Sequence, residues 1–244
     1  MRPPRIRRSR SGELEVERFS RFRRVEHTVA IVVFTVLVVT GFPQKFDHSQ
    51  VGRWLLGAFG GLDNARLVHR IAGVMFAVHA GLHLAAILVG LLLGKMRLSL
   101  LPLPQDVRDA WDNLRFYFGY RDRPPELPKY DYRQKFEYIG LILGGMVMIF
   151  SGLVLIEPVL VARWLPGELI PAAQVAHSNE AMLAFLVLII WHIYATVLSP
   201  DVFPLDRSMF TGFISAHELK ERHALEYKRV FPDGEPPDDP PAAG

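Results

Sequence analysis

Apolar residues along this chain gather into long blocks separated by charged connections, and no strand-like alternation runs through the blocks. Four of them, approximately 25–42, 65–93, 136–156 and 175–198, match the roughly 20 helical residues needed to cross a hydrocarbon core about 30 Å thick. Inside a bilayer no water satisfies the backbone, so runs rich in Leu, Val, Ile and Gly are expected to be helical. Gly41 and Pro43 predict the end of the first block, and Asp63 or Asn64 a cap for the second. Glu157 with Pro158, and Ser199 with Pro200, predict the ends of the third and fourth. The expected fold class is all-α integral membrane, a bundle of four transmembrane helices over 25–198. A basic leader, 1–24, precedes it. The part that follows, 199–244, is expected to hold an amphipathic helix over 206–230 and a disordered Pro- and Asp-rich tail, FPDGEPPDDPPAAG.

Charge orients the bundle. The leader up to Arg24 carries nine Lys and Arg, the connection from Gly94 to Lys135 nine, and the tail after Pro200 five. The connections 43–64 and 157–174 carry two and one. The positive-inside rule therefore predicts both termini on the cytoplasmic side, with the Trp54 and Trp164 segments at the opposite interface. The Arg-rich start lacks a small-residue cleavage pattern after its apolar stretch and is read as mature sequence rather than a secretory signal. Half of the 244 residues are hydrophobic, and none is cysteine. Without cysteine there are no disulfides, no thiolate metal ligands and no covalent haem attachment through C-x-x-C-H. A metal in this protein must be held by histidine, methionine or oxygen ligands.

Histidines interrupt the apolar blocks at matching depths. His27 opens the first helix, His69 begins the second, and His83 follows fourteen residues later, about 21 Å along the axis. The fourth helix repeats the scheme with His177 and His192, fifteen residues apart, or about 22 Å. Fourteen or fifteen residues is close to four turns, so each helix presents two imidazoles on roughly one side, one per leaflet. Ionisable groups inside a membrane bundle are costly and tend to be functional. Two layers of histidine, each shared by several helices, would suit two stacked haems with bis-imidazole iron. Zinc, which takes three or four ligands close together, is a poorer match to such wide vertical spacing. His79 falls between the layers and is assigned to packing or a hydrogen bond. His48, His217 and His223 lie in loops or tail, where solvated histidine is the default.

The stretches RFSRFRRVEHTVAIVVFTVLVVTGFPQKF, HRIAGVMF, KYDYRQKFEYIGLILGGMVMIFSGLVL, HSNEAMLAFLVLIIWHIY and FPLDRSMFTGFIS resemble the membrane cytochrome b subunits of respiratory formate dehydrogenases, nickel–iron hydrogenases and thiosulfate reductases, in the wider bacterial cytochrome b561-like group. The resemblance implies two b haems, the outer one held by His69 and His177 and the inner one by His27 and His192. His83 departs from that pattern; it could replace His27, line a quinone pocket or serve a further haem. In formate dehydrogenase-like relatives a Y-N-x-G-Q-K stretch borders the quinone site, and here it reads YDYRQK, Tyr130 to Lys135. Gln134 and Lys135 match, while Asp131 stands in place of Asn and Arg133 in place of Gly. Asp131, with Glu137 or a nearby histidine, could exchange the protons that quinone chemistry requires. Arg70, beside a proposed ligand, is read as a partner for a haem propionate or as an interfacial anchor.

The implied function is electron transfer across the bacterial inner (cytoplasmic) membrane, between a quinone or quinol near the cytoplasmic-side haem and a redox partner at the outer face. That partner is an iron–sulfur protein or a multihaem cytochrome c. The longest connection, about 40 residues, is too short for a dehydrogenase module, and no Gly-rich nucleotide signature is present. Two alternatives stay open on sequence: a haem-free membrane anchor or transporter subunit whose histidines relay protons, and a stand-alone b561-type quinol oxidase.

Overall fold

A computed structural model describes residues 4–94 and 99–234. Most of the tail expected to be disordered, 235–244, lies outside the described residues. In chain order the elements begin with strands β1 (Ile6–Arg8) and β2 (Leu14–Glu17), followed by helices α1 (Arg21–Lys45), α2 (Gln50–Ala58), α3 (Leu62–Leu92) and α4 (Pro104–Tyr117). Next come α5 (Tyr132–Ile156), α6 (Pro158–Ala162) and α7 (Leu169–Leu186), the last continued by π-helical turns at Val187–His192 and Tyr194–Leu198. The chain closes with α8 (Ser208–Thr211), β3 (Phe213–Ser215), α9 (Ala216–Arg222) and α10 (Ala224–Val230). Four of these helical stretches, Arg21–Lys45, Leu62–Leu92, Tyr132–Ile156 and Leu169–Leu198, are long and apolar enough to cross a membrane. The chain is a multi-pass integral membrane protein.

The residues divide into two compact units. The helical unit comprises Val25–Val89 and Leu141–Asp206. Most large apolar side chains of its spans are exposed, including Val32, Met75, Phe150 and Ile190, as suits helices whose solvent is lipid. Two boundaries differ from expectation. The first span does not stop at Gly41 but runs to Lys45 with Pro43 inside its last turn, where the missing N–H costs only one bond and Pro43 is fully buried. The third and fourth spans end as expected, at Ile156 and Leu198. The second begins at Leu62, ahead of its expected cap, after a glycine pair with φ of 78° at Gly60 and 112° at Gly61; only glycine adopts such a turn without strain. Trp54 on α2 and Trp164 after α6 are both exposed.

The terminal unit draws on both chain ends and on the connection between the second and third spans. Its centre is a three-stranded antiparallel sheet in the order β1-β2-β3. Val16 pairs with Ile6 on one side and with Ile214 on the other, so the two ends of the chain meet in one sheet. Val16, Ile214, Ala216, Leu219, Tyr227 and Phe231 form its core, with Ile6, Leu14 and Val230 packed against it. The 206–230 segment is therefore not one amphipathic helix but a helical turn, a strand and two short helices. Gly212, at φ 89°, lets the chain turn from α8 into β3, and its carbonyl accepts from Arg18 and Phe19 N–H at 2.8 and 3.1 Å.

His223 overturns its solvated assignment. It is buried, and its Nδ1 bonds the Pro128 carbonyl at 2.9 Å, fastening the α9–α10 junction to the segment before α5. Burial and the nearby Arg18 push its pKa down to about 3. In the unfolded chain the imidazole charges below about pH 6.5, whereas in the fold it stays neutral to about pH 3. Between those values the unfolded chain binds the additional proton, so stability falls as the pH falls, by up to about 1.4 kcal/mol per pH unit from this group. Limited proteolysis of the C-terminal segment is expected to accelerate from pH 7 to pH 5 in the wild type and to respond much less in His223→Gln, whose amide still donates to Pro128. An equal response in both would remove His223 as the cause.

Candidate functional site

Four of the six span histidines form two ring pairs within the helical unit. The His69 and His177 ring centroids, on α3 and α7, lie 6.2 Å apart with an interplanar angle of 77°. Those of His27, on α1, and His192, in the first π turn, lie 6.1 Å apart at 42°. A π turn holds more residues than an α turn and often marks a functional position in a helix. Here it takes up part of the fifteen-residue spacing between His177 and His192.

Hydrogen bonds fix the tautomer of the first pair. Thr40 Oγ1 donates to the Val36 carbonyl at 2.6 Å, so it must accept from His69 Nδ1–H, at 2.9 Å. Ser151 Oγ likewise donates to the Val147 carbonyl at 2.5 Å and accepts from His177 Nδ1–H at 3.0 Å. Each Nε2 is thereby left with its lone pair, the form a metal ligand needs. Bare backbone makes the room: a Cβ at Gly41 would come within 2.9 Å of His69 Cε1, and one at Gly152 within 3.3 Å of His177 Cε1.

The spacing leaves room for a metal held between two imidazoles. A metal–imidazole bond of about 2.0–2.1 Å on each side, plus about 1.1 Å from nitrogen to ring centre, would put the centres of two imidazoles sharing one metal about 6.3 Å apart. Both pairs match. Two nitrogens fall short of the four that a bare zinc ion takes, and a porphyrin supplies the remaining ligands itself.

His83, on α3, meets an acid on α1. Its Nδ1 lies 3.0 Å from Glu26 Oε1, and both side chains are largely shielded. His79 is half-buried and Arg70 exposed. Three groups were missed on sequence. Thr40 and Ser151 were legible as hydroxyls near the same ends of their spans as His69 and His177. Glu180, one turn from His177, was legible as an acid in an otherwise apolar span. Its carboxyl lies against Gly144, where a Cβ would come within 2.1 Å of Oε1.

The Tyr130–Lys135 stretch belongs to the terminal unit, where it builds the start of α5. Asp131 Oδ1 accepts from Gln134 N–H at 3.0 Å, while Gln134 Oε1 accepts from Asp131 N–H at 3.2 Å, a reciprocal capping box. Arg133 donates to Asp131 Oδ2 through Nε and Nη2 at 2.9 and 2.6 Å. Lys135 is buried and donates to both Asp106 oxygens, at 2.7 and 2.9 Å. Just ahead of Asp131 in the chain, burial pushes the Tyr130 phenol up and the Lys129 ammonium down.

Four apolar spans and two close imidazole pairs agree with a membrane cytochrome b. The family model for prokaryotic cytochrome b561 matches residues 18–212, and the chain belongs to that family. It is thus a haem-binding membrane electron-transfer subunit that works with redox partners, and the haem-free reading gives way. Comparison with curated proteins found no match.

Proposed function

We propose that the chain binds two b haems and carries electrons across the bacterial inner membrane, between a quinone or quinol and a redox partner protein at the opposite face. The observation that carries this reading is the presence of two imidazole pairs with centroid separations of 6.1 and 6.2 Å, each drawn from two different spans. His69 with His177 holds one haem, and His27 with His192 the other. Bound haem supplies one-electron redox chemistry, and the axial imidazoles with their hydrogen-bond partners tune its potential. Thr40 and Ser151 orient two of the four ligands and raise their basicity. Arg70, exposed beside His69, is available to a propionate.

Quinone is assigned to the Tyr130–Lys135 stretch by its likeness to formate dehydrogenase-type subunits. His83 with Glu26 is left to proton exchange rather than to iron. The partner is an iron–sulfur protein or a multihaem cytochrome c. Haem quantitation and a reduced-minus-oxidised spectrum on purified protein test the reading. Two b haems per chain, both reducible by a quinol analogue, are expected. One haem per chain would overturn the two-site assignment, and a colourless protein after haem-supplemented expression would overturn it entirely.

A further inference from the structure

Helix α4 is amphipathic in reverse. Its inward face is polar: Asp106, Asp109 and Asn113 are buried, with Asp106 on Lys135, Asp109 on Gln105 at 2.8 Å and Asn113 on the Tyr132 hydroxyl at 2.9 Å. Val107, Trp111, Leu114 and Phe118 follow at i, i+4, i+7 and i+11, one continuous stripe, and are 73%, 61%, 44% and 69% exposed. A helix on a water-soluble surface does the opposite, turning its apolar stripe to the core.

Three observations identify what covers the stripe. The first is position. The ion pair Asp106–Lys135 and the bond Asn113–Tyr132 tie α4 at two points, two turns apart, to the first turn of α5, where that helix begins its membrane span. The second is composition: Trp111, Tyr117 and Tyr120 are all exposed, and such amphipathic rings favour the headgroup level. The third is charge. By the 100° step of the helix, Arg108 and Arg115 lie along one border of the stripe, and Arg121 follows just beyond the C-terminus. Asp112 meets both Arg115 and Arg121, so these three arginines and one acid leave the margin net basic. A basic margin beside an apolar face with Trp, Phe and Leu is the make-up of a helix lying in a lipid interface.

We infer that α4 lies in the leaflet at which α5 enters, its Val107–Trp111–Leu114–Phe118 stripe among the acyl chains and its arginines on anionic headgroups. The polar face then serves as the protein's own contact with α5. Membrane insertion thus holds the Asp106–Lys135 pair in place from outside.

The absence of cysteine makes the test direct. The full chain carries single substitutions Val107→Cys, Leu114→Cys, Phe118→Cys or Asp112→Cys, each labelled with a nitroxide in nanodiscs with and without phosphatidylglycerol. At 107, 114 and 118 dissolved oxygen is expected to relax the label several-fold more than a water-soluble nickel chelate, while at 112 the order reverses. The contrast is expected to sharpen with the anionic lipid and to weaken in Arg108→Gln/Arg115→Gln. Free access of nickel at 107, 114 and 118 would overturn the proposal by leaving the stripe in water. Exclusion of both reagents would overturn it in favour of a protein partner or a second copy.

Discussion

His27→Ala is expected to lose one of two b haems per chain, and His83→Ala to keep both. On sequence either histidine could face His192, because both belong to the same layer. Ring pairing favours His27, which sits 6.1 Å from His192, ring centre to ring centre. The 3.0 Å contact of His83 Nδ1 with Glu26, like those of Thr40 and Ser151, still leaves an Nε2 able to ligate, so the His83 variant is the deciding one. Without the His27 imidazole, His192 alone would have to hold the group. Haem quantitation reads the loss directly. The reduced-minus-oxidised spectrum of His27→Ala should keep the contribution of the His69–His177 site, whose ligands are set by Thr40 and Ser151. If His83→Ala lost the haem instead, the ligand would move to α3 and the Glu26 contact would become part of the iron's surroundings.

Much of this was legible in the sequence, for identifiable reasons. Spans announce themselves because lipid demands about 20 apolar residues in a row. Histidine depth follows from 1.5 Å per residue, which places His69 and His177 in one layer and His27, His83 and His192 in the other. The pairing within each layer was implied only by the family resemblance, and spacing alone left His27 and His83 equivalent. The tautomer was not legible. It depends on Thr40 and Ser151, each of which bonds a carbonyl on its own helix and an imidazole on another. Sequence spacing carries no information on that second contact.

The terminal unit was missed for a different reason. Its strands have only three or four residues, and β3 lies about 200 residues from β1 and β2. A period of two over three residues gives no usable signal, so Arg7 and Glu15, which pair across the sheet at 2.8 Å, read as members of a charged leader. Pro43 shows the converse limit: a strong local stop signal is overridden where a helix has no water to fray into.

Lys135→Ala is expected to destabilise the terminal unit by about 3–5 kcal/mol, the range for leaving one member of a buried ion pair uncompensated. Lys135 and Asp106 side chains are only 6% and 8% exposed, so little solvent is present to take over the lost contact. Asp106 also accepts the Leu103 N–H at 2.6 Å and thereby starts α4, so a strained carboxylate there loosens the helix as well. Denaturant unfolding followed by proteolysis within 104–117 measures the loss. The neutral pair Asp106→Asn/Lys135→Gln keeps the cap and a side-chain bond and should recover most of it. A single substitution costing under about 1 kcal/mol, the range of solvent-screened pairs, would show that the pair is hydrated and not structural. The double variant also separates the two assignments made to Lys135. If its stability returns while electron exchange with a quinol analogue stays slow, the ammonium serves the quinone as well as the fold; if both return, its work is the attachment of α4 to α5.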